Sequence, residues 1–356
     1  MSPADAGWTH SRQQEELTSF ASDTKRGGAV VVRAEEDTGT DLGVAREPTT
    51  MPYATRNGAS LYYEFDRGDT GSDDDGVRAS GNGDGPATDG RETVVFVEGL
   101  GVGRWLWDWQ REAVGERYDV LVPDNRGSGK SDAALPPLLP RLPRPLRLLV
   151  FLKLAGYSIE GLTADLEAVL ADAGVDGVHL VGASMGGMIA QQYALDYDRA
   201  RSLTLMCTTH GGDEAEPIPE ETQEQIYAVP EDASEREQIR HRMEPAINDK
   251  WAQRNPGMVE GIVDMRIEQD AGEVARESQG SAGANFDVSD RVHGIDLPTL
   301  VLHGTNDRVV PVANGRMLAE KIPDSRLELI EGGSHLLMIE DADQVNDLLL
   351  AFLDGQ

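Results

Sequence analysis

At 356 residues the chain can form one large α/β domain with an inserted lid, or two modest domains. Its 32 Lys and Arg face 63 Asp and Glu, and the resulting formal charge of −31, spread along the chain, argues against nucleic acid and anionic membrane as partners. The single cysteine, Cys207, permits no internal disulfide and fits a reducing, cytoplasmic setting. Positive charge comes mostly from arginine, with lysine limited to Lys25, Lys130, Lys153, Lys250 and Lys321. Such a surface repels itself at low salt and is mostly screened near 1 M, where the Debye length is about 3 Å. The composition therefore reads as that of a salt-in halophile's enzyme, the alternative being an acidic mesophilic protein with disordered acidic insertions.

Residues 1–50 are polar and acidic, without the basic and apolar sequence of a signal peptide, and are expected to form a disordered extension, with Met51 an alternative start. In residues 52–65 the pair Asn57-Gly58 predicts a hairpin turn. Residues 66–91, rich in Gly, Asp and Ser, read as a flexible acidic insertion. The apolar run 93–97 is a central strand, and it delivers Glu98-Gly99-Leu100-Gly101-Val102-Gly103-Arg104-Trp105-Leu106-Trp107. A strand at 118–122 leads into Asp124-Asn125-Arg126-Gly127-Ser128-Gly129-Lys130-Ser131. This ends like a phosphate loop, but Asp124 stands where a glycine is needed and its carboxylate would face the phosphate. Gly99-x-Gly101 likewise lacks the third glycine of a dinucleotide fingerprint, Arg104 occupying that place. No nucleotide or other cofactor is expected, and no metal-ligand spacing is present.

Residues 133–156 hold an apolar-basic run too short to span a bilayer, which either covers a core edge or forms a flap near the site. Residues 157–170 have helical apolar spacing and precede the strand 178–181. After it comes Gly182-Ala183-Ser184-Met185-Gly186, followed by a helical stretch from Met188. A serine on a sharp strand-to-helix turn is the nucleophile-elbow pattern, in which small neighbours let the strained serine expose its hydroxyl at a helix N-terminus.

A serine needs a histidine base held by a carboxylate. The strand 299–302 runs into His303-Gly304-Thr305-Asn306-Asp307-Arg308-Val309-Val310-Pro311, and the strand 326–330 leads through Gly332-Gly333-Ser334 to His335. Ser184, Asp307 and His335 thus follow the order Ser…Asp…His, each past a strand's C-terminal end. Asp213, after the strand 202–207 that carries Cys207, is a weaker candidate for the acid. Between 208 and 297 acidic helices are expected at 220–229, 233–244 and 256–270, forming a cap. Met258, Met265 and Ile267 either line a pocket or fill the core of that cap.

On these motifs residues 52–353 resemble the α/β-hydrolase superfamily, and most closely its 3-oxoadipate enol-lactonase and small carboxylesterase group. The resemblance implies a mostly parallel eight-stranded sheet flanked by helices, with core segments 51–207 and 298–356 and a helical cap at 208–297. It implies an oxyanion hole made of the Leu100 and Met185 backbone N–H groups. Glu98 stands where the family carries histidine, and a carboxylate there would oppose oxyanion charge unless protonated, paired or turned away. Arg104 and Arg126 are the nearest cations to pair with it, and Glu98, Arg104, Trp107 and Arg126 are the candidates to touch substrate. The expected activity is hydrolysis of a small-molecule ester or lactone through an acyl-enzyme on Ser184. Carbon–carbon bond hydrolysis or perhydrolysis on the same triad, and a non-catalytic ligand-binding role, are the alternatives.

Overall fold

Asn57 and Gly58 both adopt positive φ, 50° and 77°, the geometry that two-residue hairpins favour. They join β1 (Tyr53–Arg56) to β2 (Ala59–Asp66) in the computed structural model, which describes residues 52–67, 91–136, 138–143, 146, 157–227 and 232–356. These lie within one unit, Thr49–Gln356. The expected N-terminal extension, the acidic insertion from residue 68 to 90 and most of the apolar-basic segment 133–156 lie outside the described residues.

The strands β3 (Thr93–Val97), β4 (Asp119–Pro123), β5 (Val178–Ala183), β6 (Ala200–Met206), β7 (Thr299–Gly304) and β8 (Ser325–Ile330) complete one sheet of order β1-β2-β4-β3-β5-β6-β7-β8. Every pairing from β4 to β8 is parallel, while β2 runs antiparallel to both β1 and β4. Strands covered on both faces read as continuous apolar runs, and all residues of β3, β5 and β7 are buried. Alternation divides their side chains between two cores: Val95, Leu180 and Val301 pack on one face, and Phe96, Val181 and Leu302 on the other.

Helices connect the parallel strands: α1 (Asp108–Gly115), α2 (Ile159–Asp172) and α3 (Met185–Asp196). Ser158 caps α2, accepting from Gly161 N–H at 3.1 Å. Between β6 and β7 come α4 (Glu220–Tyr227), α5 (Glu235–Met243), α6 (Asp249–Arg254), α7 (Pro256–Gln269) and α8 (Glu273–Ala284). Ser234 and Glu237 form a reciprocal capping box that starts α5. Met258 and Met265 pack against the core, whereas Ile267 is exposed. The chain closes with α9 (Val312–Lys321), α10 (Leu337–Glu340) and α11 (Ala342–Leu353). Among the described residues no helix is long and apolar enough to cross a membrane.

Candidate active site

One residue, Ser184, separates β5 from α3, and it turns the chain with φ 53° and ψ −119°. A non-glycine residue there stores strain of about 1–3 kcal/mol, so the surroundings must hold it. Ser184 N–H donates to Met206 C=O at 2.9 Å, and Thr208 Oγ1 donates to Ser184 C=O at 2.7 Å. The flanking glycines are sterically required. A Cβ on Gly182 would stand 2.3 Å from Gly186 O, and one on Gly186 would stand 2.0 Å from Val97 O. Gly99 lies against the serine, where its own Cβ would meet Ser184 Cβ at 3.4 Å.

Asp307 follows β7, and its side chain is fully buried. Its Oδ1 accepts from the N–H groups of Val309 at 2.8 Å and Val310 at 2.9 Å, and its Oδ2 accepts from His335 Nδ1 at 2.8 Å. Burial would raise its pKa, but the adjacent His335, with its hydrogen bond, and then His303 outweigh this and hold the carboxyl well below the usual range. His303, which sequence reasoning passed over, sits beneath the carboxylate. Its Nε2 donates to Val310 C=O at 2.9 Å and lies 3.5 Å from Asp307 Oδ2. Asp213, the weaker sequence candidate for this acid, is exposed.

Cys207 leaves the end of β6 with φ 48° rather than lying within the strand as expected. It is the third member of a buried group with His303 and Asp307, their potential ligand atoms within 4.8 Å of one another. This set suits a metal poorly. Burial first, and Asp307 second, push the Cys207 thiol up and keep it neutral, while both Asp307 oxygens are occupied.

The loop after β3 brings Leu100 beside the elbow. Among the described residues neither Leu100 N–H nor Met185 N–H donates to a backbone carbonyl, and Met185 opens α3, where N–H groups have no intrahelical partner. The next residue of the loop is clamped at both ends. Gly101 N–H donates to Gln279 Oε1 at 2.7 Å, and Gly101 C=O accepts from Ala271 N–H at 3.0 Å. Gln279 also donates to Arg126 C=O at 2.9 Å and to Ser128 Oγ at 3.2 Å. It too was missed, because α8 is rich in Gly, Ala and Ser, and nothing in the sequence marks its glutamine for a loop that only the fold brings near.

The cations expected to pair with Glu98 are engaged elsewhere. Arg104 binds Glu64 at 2.7 Å and Asp124 at 2.9 Å, and Arg126 binds both oxygens of Asp165 at 2.7 and 2.6 Å. Neither guanidinium is available to Glu98, because each reaches a carboxylate delivered by another element, which local sequence does not reveal. Glu98 itself is wholly buried; Oε1 accepts a short bond from Asn125 N–H, and Asn125 Nδ2 donates to Glu98 C=O at 3.0 Å. Burial first, then the neighbouring Asp124, push its carboxyl well above the usual range. Trp107 is also wholly buried, its ring 4.9 Å from that of Phe96. Of the four residues expected to touch substrate, Glu98 and Trp107 thus lie in the interior, and Arg104 and Arg126 are held in ion pairs.

The α/β hydrolase fold family matches residues 92–342. The candidate carbamate hydrolase RutD of Azorhizobium caulinodans is 26% identical over 304 residues, covering 85% of this chain and 98% of its own. A 2-hydroxy-6-oxo-6-phenylhexa-2,4-dienoate hydrolase of Burkholderia cepacia is 29% identical over 280 residues, or 74% of this chain and 87% of its own. In fold the chain is similar to the enol-lactonase of Burkholderia xenovorans, with TM-score 0.66 and 24% identity over 85% of this chain and 100% of that one.

Proposed function

Since the chain belongs to the α/β hydrolase fold family, we propose that it is a serine hydrolase cleaving a carboxylic ester or lactone through an acyl-enzyme on Ser184. The observation that carries this reading is the Asp307 carboxylate, clamped on one oxygen by two backbone N–H groups and bound on the other to His335 Nδ1 at 2.8 Å. That bond orients the imidazole and leaves Nε2 as the base.

In the proposed reaction His335 takes the Ser184 Oγ proton as the oxygen attacks the carbonyl carbon. The N–H groups of Leu100 and Met185 receive the oxyanion, a donor of this type contributing on the order of 3 kcal/mol to the transition state. His335 then protonates the departing alkoxide, and a water that it deprotonates releases the acid. The names of the relatives extend the substrate screen to carbamates and to carbon–carbon bonds next to a ketone, which the same groups can serve.

Fluorophosphonate labelling read by intact mass, in molar KCl, tests the nucleophile. Wild type should gain one adduct, and Ser184→Ala none. Turnover of ester substrates should fall by at least about a thousandfold in Ser184→Ala. An adduct on folded Ser184→Ala, or no adduct on folded wild type, would overturn the assignment.

A further inference from the structure

The chain between α5 and α6, residues 244–248, touches both of the loops that carry Asp307 and His335. It begins as one tight helical turn, Glu244–Ala246, anchored from within: Pro245 is buried, and Met243 and Ile247 share the core of Leu302 and Ile330. Anchoring of this kind leaves backbone polar groups in need of partners, and the two loops supply them.

On the acid side the partner is Arg308. Its Nη2 donates to Glu244 C=O at 2.7 Å and to Ile247 C=O at 3.1 Å, while Arg308 C=O accepts from Thr222 Oγ1 on α4 at 2.9 Å. The same guanidinium meets Asp249 at 3.2 Å, an exposed pair that contributes little. On the base side Ala246 C=O accepts from Leu336 N–H at 3.1 Å and lies 2.9 Å from Ser334 Oγ. Asn248 N–H donates to Glu340 Oε1 at 2.8 Å, and Glu340 Oε1 stands 2.8 Å from Ser334 Oγ. Asn248 Nδ2 donates to Gly332 C=O at 3.2 Å.

Nearer the sheet the two loops bond to each other directly, Asn306 N–H to Gly333 C=O at 2.9 Å and Gly332 N–H to Thr305 Oγ1 at 2.8 Å. One residue past Asn306 and two past Gly333, Asp307 and His335 meet at 2.8 Å. There it is their chain neighbours Arg308, Ser334 and Leu336 that bond to residues 244–248. We infer that residues 244–248 are a strap that holds the two loops at one spacing, with Arg308 and Glu340 as the positioning residues at its ends. The effect on catalysis rests on the serine-hydrolase reading, whereas the strap itself does not.

Arg308→Met and Glu340→Leu keep most of the side-chain bulk and release one end each. A shift of about 1 Å at a reacting group can cost about a hundredfold, so each variant should lower kcat for 4-nitrophenyl butyrate about tenfold to a hundredfold, with KM within about threefold. Glu340→Gln keeps an acceptor for Asn248 N–H and should recover most of the loss, and Arg308→Lys part of it. Because one strap serves both loops, releasing either end suffices. The double variant should be at most about threefold slower than the worse single one, whereas two independent defects would multiply. Hydrogen exchange read by mass spectrometry needs no turnover. Glu340→Leu should speed exchange at 307–311 as well as at 334–340, and Arg308→Met should likewise speed both. Ser334→Ala and Arg308→Lys, milder cuts at the same two ends, carry the test if a larger change unfolds the chain. Exchange that rises only in the altered loop, or kcat losses that multiply, would overturn the strap. No fluorophosphonate adduct on wild type, with the crossed exchange effect present, would overturn the hydrolase reading alone.

Discussion

Glu98 and Asp124 follow the neighbouring parallel strands β3 and β4, and each keeps one carboxyl oxygen, Oε2 and Oδ1, buried without a hydrogen-bond partner among the described residues. Two such groups side by side cannot both be ionised cheaply. Asp124 has Arg104 and the Lys130 N–H on its other oxygen, whereas Glu98 has a single backbone donor, so the proton belongs on Glu98. A neutral Glu98 does not oppose an oxyanion beside it, and this reconciles a carboxyl at that place with the hole proposed above. Glu98→Gln should therefore keep turnover within a few-fold, and an infrared band of a protonated carboxyl, present in wild type at pH 7, should vanish. The sign of the pH effect follows from the raised pKa. The native state holds a proton that the unfolded chain releases above about 4.3, so stability falls as pH rises from there toward the folded pKa. Urea midpoints between pH 5 and 8 should show a shallower fall in Glu98→Gln than in wild type.

Gln279 reaches from α8 to the loop of the proposed oxyanion hole. With its carboxamide it satisfies Gly101 N–H, Arg126 C=O and Ser128 Oγ together. Gln279→Leu strands three buried polar groups and frees Gly101, the neighbour of the Leu100 donor. Loss of a full oxyanion donor costs about a hundredfold to a thousandfold in kcat, and an indirect displacement should cost less, about tenfold. The fall should appear in kcat with KM little moved, and a lowered urea midpoint should accompany it. An unchanged kcat in a folded variant would mean that the loop holds its place without the clamp.

The contrast between the elbow and Gln279 shows what a sequence discloses. Ser184 was legible because its constraint is local: Gly182 and Gly186 flank it, and the strand and helix on either side are written in apolar runs. The hairpin at Asn57-Gly58 was legible for the same reason. Arg126 misled because its partner Asp165 stands 39 residues away on another element, and a guanidinium carries no sign of which carboxylate it will meet. The helix Glu273–Ala284 was overlooked because its small residues are selected by close approach to a loop, as where a Cβ on Gly127 would stand 2.6 Å from Ala275 Cβ. His303 could have been suspected from the His-Gly that begins the Asp307 motif, but its place beneath Asp307 depends on Gly315, where a Cβ would lie 2.5 Å from His303 Nδ1.

Asp307→Asn probes the carboxylate between its two imidazoles. On the proposed serine-hydrolase reading the amide leaves the geometry in place but favours the wrong tautomer of the base, at an expected cost of about ten-thousandfold in kcat. The same variant has a stability signature. Because the folded pKa is depressed, the carboxylate contributes stability that is present above the unfolded value near 3.9 and is lost as pH falls through the folded value. Wild type should thus lose stability steeply below about pH 4, and Asp307→Asn should lose less over the same interval. Identical acid limbs would place the charge stabilisation elsewhere.

The formal charge of −31 sets the last expectation, because it acts on the whole chain rather than on one contact. Its surface ion pairs, such as Arg117–Asp354 and Arg201–Glu92, are exposed or nearly so and contribute little individually. Added salt weakens them, but it also weakens the repulsion among the many carboxylates that have no cation to meet. With about two acids per base the second effect is the larger, so the urea midpoint should rise as KCl is raised from 0.1 M toward about 1 M, where the Debye length is about 3 Å and screening saturates. NaCl should act alike if screening is the cause. A midpoint that falls with salt would mean that the ion pairs outweigh the repulsion.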